Sequence, residues 1–169
     1  LTHTINPRLS VEHLLYIIND AADEVLFIDQ TFLPLIRQLQ PQLLTVKHIV
    51  LMEPHSEDAQ DLLPSLRFFD QLLQQGDADY CWPGLNELTP ASLCYTSGTT
   101  GRPKGVLNTH RSLVLHALSG NQPDGAGISA QDSLLPVVPM FHVNAWGTPF
   151  IAAMVGARLV LPGPHLDGD

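Results

Sequence analysis

Residues 92–106 read Ser92-Leu93-Cys94-Tyr95-Thr96-Ser97-Gly98-Thr99-Thr100-Gly101-Arg102-Pro103-Lys104-Gly105-Val106, and the reading of this stretch decides the fold. Ser92 to Thr96 has the short apolar character of a strand, Ser97 to Gly105 is a glycine-rich loop, and Val106 to Asn108 is extended again. From Tyr95 to Gly105 there are three glycines, four aliphatic hydroxyls and one lysine. Glycine admits positive φ and lets backbone N–H groups approach a ligand. Hydroxyls donate to phosphate oxygens or ligate Mg²⁺, and lysine adds positive charge, so the parts of a phosphate cradle stand together. The pattern is not a Walker A loop, although Gly98 stands six positions before Lys104. That motif needs Gly immediately before the Lys and Ser or Thr immediately after it. Here the neighbours are Pro103 and Gly105. Pro103 has no N–H and a fixed φ, so the loop cannot run into a helix whose N-terminus holds the phosphates. A glycine hairpin between two strands is the expectation.

Upstream, Ser10 is a candidate N-cap, and Val11, Leu14, Leu15 and Ile18 recur at helical spacing, predicting a helix over about 10–21. Val25 to Asp29 then reads as a buried strand. A second helix-like run, Phe32 to Leu39, feeds a strand over Lys47 to Met52. Glu53 to Asp61 is polar with a proline and reads as a loop, Leu63 to Leu73 as helical, and Gly76 to Pro90 as irregular, with a turn at Pro83-Gly84. Downstream, the expectations are a helix over His110 to Ser119, a buried strand over Ser133 to Val138, an apolar helix over Asn144 to Val155 and a last strand over Ala157 to Leu161. Helices alternating with mostly parallel strands define an α/β fold.

The whole chain of 169 residues, 44% apolar, suffices for one core, with no internal repeat. No run approaches a membrane span or a signal peptide. Cys81 and Cys94 form neither a CxxC pattern nor a disulfide scaffold, which points to a reducing compartment. A net charge of −9 argues against nucleic-acid binding. The distribution is more telling. Leu88 to Pro123 contains no Asp or Glu, while Arg102, Lys104 and Arg111 give it three positive charges and leave the remainder at −12. A positive island in an acidic protein suits a small polyanion. The histidines offer no metal site: His110 and His116 are six apart and point to different helix faces, and His3, His13, His48, His55 and His165 are scattered.

Tyr95 to Val106 closely resembles the signature phosphate loop of the adenylate-forming superfamily. Two further stretches extend the resemblance to its fatty-acid-activating branch of acyl-CoA synthetases. Thr4-Ile5-Asn6-Pro7-Arg8-Leu9 is similar to the segment before that branch's first helix, and Pro139-Met140-Phe141-His142-Val143-Asn144-Ala145-Trp146-Gly147 is similar to its acyl-site motif. The resemblance implies that residues 1–169 are part of the large N-terminal AMP-binding domain. Within it, 1–90 form leading α/β units, 91–120 the phosphate-loop strand, hairpin and helix, and 133–161 the acyl-site unit.

Carried over residue by residue, the resemblance assigns Ser97, Gly98, Thr99, Thr100, Gly101 and Lys104 to the ATP phosphates. Thr96 matches the threonine associated with Mg²⁺, which puts Thr96 and Lys104 at the catalytic centre. His142 would line the acyl pocket and Trp146 would gate the acyl tunnel; were His142 and Trp146 on one helix, four apart, they would share a face. The implied reaction uses ATP, Mg²⁺ and CoA to turn a medium- or long-chain fatty acid into acyl-AMP and then acyl-CoA. The implied partners are small molecules, with a homodimer as one arrangement of the complete enzyme and a cytoplasmic location that can include a membrane periphery.

The chain's last residues follow directly on an apolar strand, so a longer polypeptide is expected. The family's Mg²⁺-binding glutamate, ribose-binding aspartate, hinge and C-terminal catalytic lysine have no counterpart in these residues, so this piece alone is expected to be inactive. Two alternatives stay open: adenylation of an aromatic, short-chain or amino acid, and a non-catalytic homologue that binds nucleotide or acyl groups.

Overall fold

The computed structural model describes residues 1–96, 101–161 and 163. In chain order the elements are β1 (Thr2–His3), α1 (Val11–Asp20), β2 (Val25–Ile28), α2 (Leu33–Leu39), β3 (His48–Leu51), α3 (Glu57–Leu62), β4 (Leu66–Phe68) and α4 (Phe69–Gln74). Then follow β5 (Pro90–Thr96), β6 (Lys104–Thr109), α5 (His110–Gly120), β7 (Ser133–Leu134), α6 (Thr148–Val155) and β8 (Arg158–Leu159). The chain divides into two compact units, Asn6–Gly84 and Leu1–Ile5 with Leu85–Asp169.

In the Asn6–Gly84 unit, β2, β3 and β4 form an all-parallel sheet with β3 in the middle. Ile49, Val50 and Leu51 are all buried, as a central strand covered on both faces requires. On β2 only Leu26 and Ile28 are buried, with Val25 and Phe27 exposed. Helix α1 starts as its sequence predicts: the Ser10 side chain accepts a hydrogen bond from the His13 N–H at 3.3 Å, and Leu14, Ile17 and Ile18 turn inward. In α2, Leu33, Ile36 and Leu39 are buried, and Pro34 sits in the first turn, where its missing N–H is harmless.

β2 is thus half-buried and not the buried strand expected, and two further expectations fail in this unit. Residues 53–61 are not all loop, because Ser56 caps α3, accepting from the Ala59 N–H at 3.5 Å. Pro54 lies before the cap and so breaks nothing, and the polar composition belongs to a surface helix that buries only Ala59 among its residues. Residues 63–73 are not one helix. Pro64 interrupts the pattern, and Leu66 and Phe68 are buried either side of exposed Arg67 in a strand paired to β3.

In the other unit, β1, β5 and β6 form a sheet in which β1 runs parallel and β6 antiparallel to the central β5. Ser92, Leu93 and Cys94 are buried. Helix α5 is capped by Thr109, which accepts from the Ser112 N–H at 3.1 Å. A short parallel pair, β7 and β8, holds less of 133–138 in strand than the sequence suggests: only Ser133 and Leu134 are paired. Helix α6 begins at Thr148 and not at Asn144. Gly147 and Pro149 set that start, because glycine takes a left-handed conformation and proline fits only the first turn.

Candidate functional site

The two strands expected on either side of the glycine loop are present. β5 and β6 pair antiparallel from Pro90↔Thr109 to Thr96↔Lys104, so the threonine and lysine assigned to ATP face each other at the mouth of the loop. Ser97, Gly98, Thr99 and Thr100 lie outside the described residues. Where the loop returns, Gly101 has φ +100°, Pro103 is buried and Arg102 and Lys104 are exposed. Across the hairpin the Tyr95 ring lies over Gly105. A Cβ there would come within 3.2 Å of Leu93 Cδ1 and 3.3 Å of Tyr95 Cζ, so a side chain could enter only by displacing that ring. Arg111 forms an ion pair with Glu87 at 3.3 Å.

His142 precedes, and Trp146 ends, an element that the sequence did not foretell. Val143, Asn144, Ala145 and Trp146 have φ of 48°, 50°, 53° and 56°, a complete turn of left-handed helix, followed by Gly147 at 73°. His142, before it, is extended with φ −103° and ψ 99°. The two residues therefore share no right-handed helix face. Both are exposed, Trp146 at 61%. Each L-residue in this conformation costs roughly 1–2 kcal/mol, so four in succession persist only where surrounding contacts dictate them.

Three side chains, those of Asn144, His116 and Thr148, supply them. The Asn144 side chain, 7% exposed, donates from Nδ2 to Ser92 Oγ at 2.8 Å and accepts at Oδ1 from the Cys94 thiol at 3.1 Å and from the Thr4 hydroxyl at a long 3.5 Å. The His116 ring on α5 meets the Trp146 carbonyl at 3.1 Å, and because a carbonyl only accepts, Nε2 carries the proton. Thr148 Oγ1 donates to the Ala145 carbonyl at 2.8 Å. Backbone bonds from Ala145 N–H to the His142 carbonyl and from Gly147 N–H to the Asn144 carbonyl, each 3.0 Å, close the turn.

Ser92, Cys94 and Thr96 alternate along β5 and so lie on one face of the strand. The structure thus brings the left-handed turn onto the strand that ends in Thr96. Reading the sequence gave no site role to Thr4, Ser92, Cys94, Asn144 or His116, although Thr4 and Asn144 stand in the two family-like segments. The available signal was Asn144 itself, since asparagine tolerates the left-handed region better than other side-chain-bearing residues. Among the described residues, no group of three or more His, Cys, Asp or Glu could hold a metal ion. Thr96 offers one hard oxygen donor, which suits Mg²⁺ carried largely by phosphate oxygens.

The parallel α/β unit, followed by an antiparallel strand pair on either side of a glycine-rich loop, is a fold of the adenylate-forming class. The chain belongs to the AMP-binding enzyme family, whose match covers residues 1–169. It is 59% identical over 167 residues to a 3-methylmercaptopropionyl-CoA ligase of Ruegeria lacuscaerulensis, covering 99% of this chain and 31% of that protein. It is 56% identical over 166 residues to a medium-chain-fatty-acid–CoA ligase of Ectopseudomonas oleovorans, covering 98% of this chain and 30% of the relative. Among solved structures, the anthranilate CoA ligase AuaEII in complex with anthranoyl-AMP superposes with a TM-score of 0.82 at 27% identity, covering 95% of this chain and 30% of that one. The chain therefore spans under a third of the length of these relatives. No helix among the described residues is long and apolar enough to cross a membrane.

Proposed function

We propose that the protein carrying this chain is an acyl-CoA synthetase. It joins a medium- or long-chain fatty acid to ATP, forming acyl-AMP and pyrophosphate, and then lets the CoA thiol displace AMP. The observation that carries this reading is the hairpin in which Thr96 and Lys104 oppose each other across the glycine loop, in a chain 56% identical to a medium-chain-fatty-acid–CoA ligase. Lys104 neutralises charge on the departing pyrophosphate, and the loop N–H groups and the hydroxyls of Ser97, Thr99 and Thr100 bind its oxygens. Thr96 gives one oxygen to Mg²⁺, which when bound offsets phosphate charge. On the acid side, His142 lines the pocket and Trp146 gates it. A cytoplasmic location, at or near a membrane surface, and a homodimeric enzyme belong to the same proposal, tested by cell fractionation and sedimentation.

The 59% identity to a 3-methylmercaptopropionyl-CoA ligase favours a second reading, a short thioether acid as substrate. Pyrophosphate release from ATP and Mg²⁺ by the full-length protein, with fatty, aromatic, amino and 3-methylmercaptopropionic acids, separates the two. Release with fatty acids above the others supports the first reading; preference for the thioether acid replaces it. No release with any acid refutes both.

A further inference from the structure

We propose that Asn144 is a positioning residue: its buried side-chain amide ties the left-handed acyl-site turn to the phosphate-loop strand, and so sets where the acid lies against ATP. This rests on the acyl-activating reading above. A left-handed turn of four non-glycine residues does not hold itself. Its one buried polar side chain reaches across to Ser92 and Cys94, on the strand face that two residues later carries Thr96. Asparagine meets both demands of the position. Its backbone tolerates positive φ, and its amide offers a donor to Ser92 and an acceptor to Cys94 and Thr4 at the same time.

The direction of the effect follows from what holds each part. Strand β5 is hydrogen-bonded to β1 and to β6, so it keeps its place without Asn144. Among the described residues, the turn carrying His142 and Trp146 has no sheet partner. Losing the amide should therefore release the acid site and spare the ATP site.

The test uses the full-length protein and two substitutions that separate backbone from side chain. Asn144→Gly relieves the backbone strain but deletes the anchor. Asn144→Asp keeps the shape but exchanges the donor for a second acceptor and buries charge. Both are expected to lower kcat/KM for the acid at least tenfold, while KM for ATP stays within twofold, because a small misplacement of one reactant costs rate steeply. An independent reading is the alkylation of Cys94 by iodoacetamide, followed on its own peptide by mass spectrometry, which should speed up at least tenfold in Asn144→Gly. Wild-type acid kinetics together with unchanged alkylation in Asn144→Gly would overturn the proposal, as would equal losses for acid and ATP. If the Asn144 variants do not fold, the strand end of the network decides. Cys94→Ser, which retains a donor, should keep more of the acid kcat/KM than Cys94→Val, and equality of the two counts against the anchor. A wild-type protein inactive with every acid defeats the functional reading instead, while the alkylation result still decides whether Asn144 holds the turn.

Discussion

Replacing Gly147 with alanine tests the left-handed turn most directly, because the structure supplies its own control. Gly147 has φ +73° and Gly156 has φ +78°, so alanine pays the same backbone penalty at each, about 1–2 kcal/mol. Their surroundings differ. A Cβ on Gly147 would lie 2.4 Å from Cδ2 and 2.5 Å from Nε2 of His116, whereas on Gly156, among the described residues, it would meet only Ala130 Cβ at 4.0 Å. The ring cannot simply swing away, because its Nε2 holds the Trp146 carbonyl. Forcing the two apart adds about 1–3 kcal/mol of overpacking. Gly156→Ala is thus expected to cost about 1–2 kcal/mol and Gly147→Ala about 2–5. Urea midpoints from pulse proteolysis of the full-length protein give the ranking. Adding His116→Ala to Gly147→Ala should recover the overpacking part, less about 1 kcal/mol for the lost hydrogen bond. Equal costs at the two glycines, or strict additivity with His116→Ala, would refute the packing that the structure shows.

Lys104→Ala should slow pyrophosphate release by at least tenfold but leave thioester formation from preformed acyl-AMP within about threefold, since the role proposed for Lys104 is toward the leaving phosphates; equal slowing of both steps, measured by single-turnover quench, removes that role. Trp146→Ala should widen the range of accepted chain lengths, checked by kcat/KM over a series of fatty acids, and an unchanged profile rejects the gate. Leu51→Ala, at 0% exposure in the central strand β3, should cost about 2–5 kcal/mol, whereas Phe27→Ala on the exposed side of β2 should cost far less; both are read by the same proteolysis. Asp29 caps a turn by accepting from the Thr31 hydroxyl at 2.7 Å and its N–H at 2.8 Å, and these bonds hold its carboxyl below the ordinary aspartate range. Its contribution is present above the unfolded pKa and fades as pH falls through the lower folded one, so Asp29→Asn should lose the least stability, relative to wild type, at the acid end of a pH series.

The hairpin was legible because each of its residues pointed the same way. Pro103 excluded a helix after the loop, and the glycines and hydroxyls left few structures other than a strand, a cradle and a second strand. Helix α1 was legible for a similar reason, with Ser10 and the Leu14, Ile17, Ile18 face agreeing on its start and its buried side. β4 was not, because three residues hold their strand only through pairing with β3, and local pattern carries no trace of a partner distant in sequence. α3 was hidden by Pro54, a breaker that counted against a helix it precedes.

The left-handed turn failed for a stronger reason. Read locally, Val143-Asn144-Ala145-Trp146 is four side-chain-bearing residues in an apolar run, and local energetics assign such a run to a right-handed helix or a strand. The left-handed alternative is the most costly locally, and its compensation comes from Ser92 and Cys94, about fifty residues earlier, and from His116. Strain of this kind does not survive for stability, since a right-handed helix through the same residues would avoid it. What that helix could not do is bury the Asn144 amide against the strand leading to Thr96 while leaving both His142 and Trp146 exposed. A segment that is locally costly, tied at one buried amide to the phosphate-loop strand and open at the two residues assigned to the acid, is where selection on the reaction rather than on folding would leave its mark.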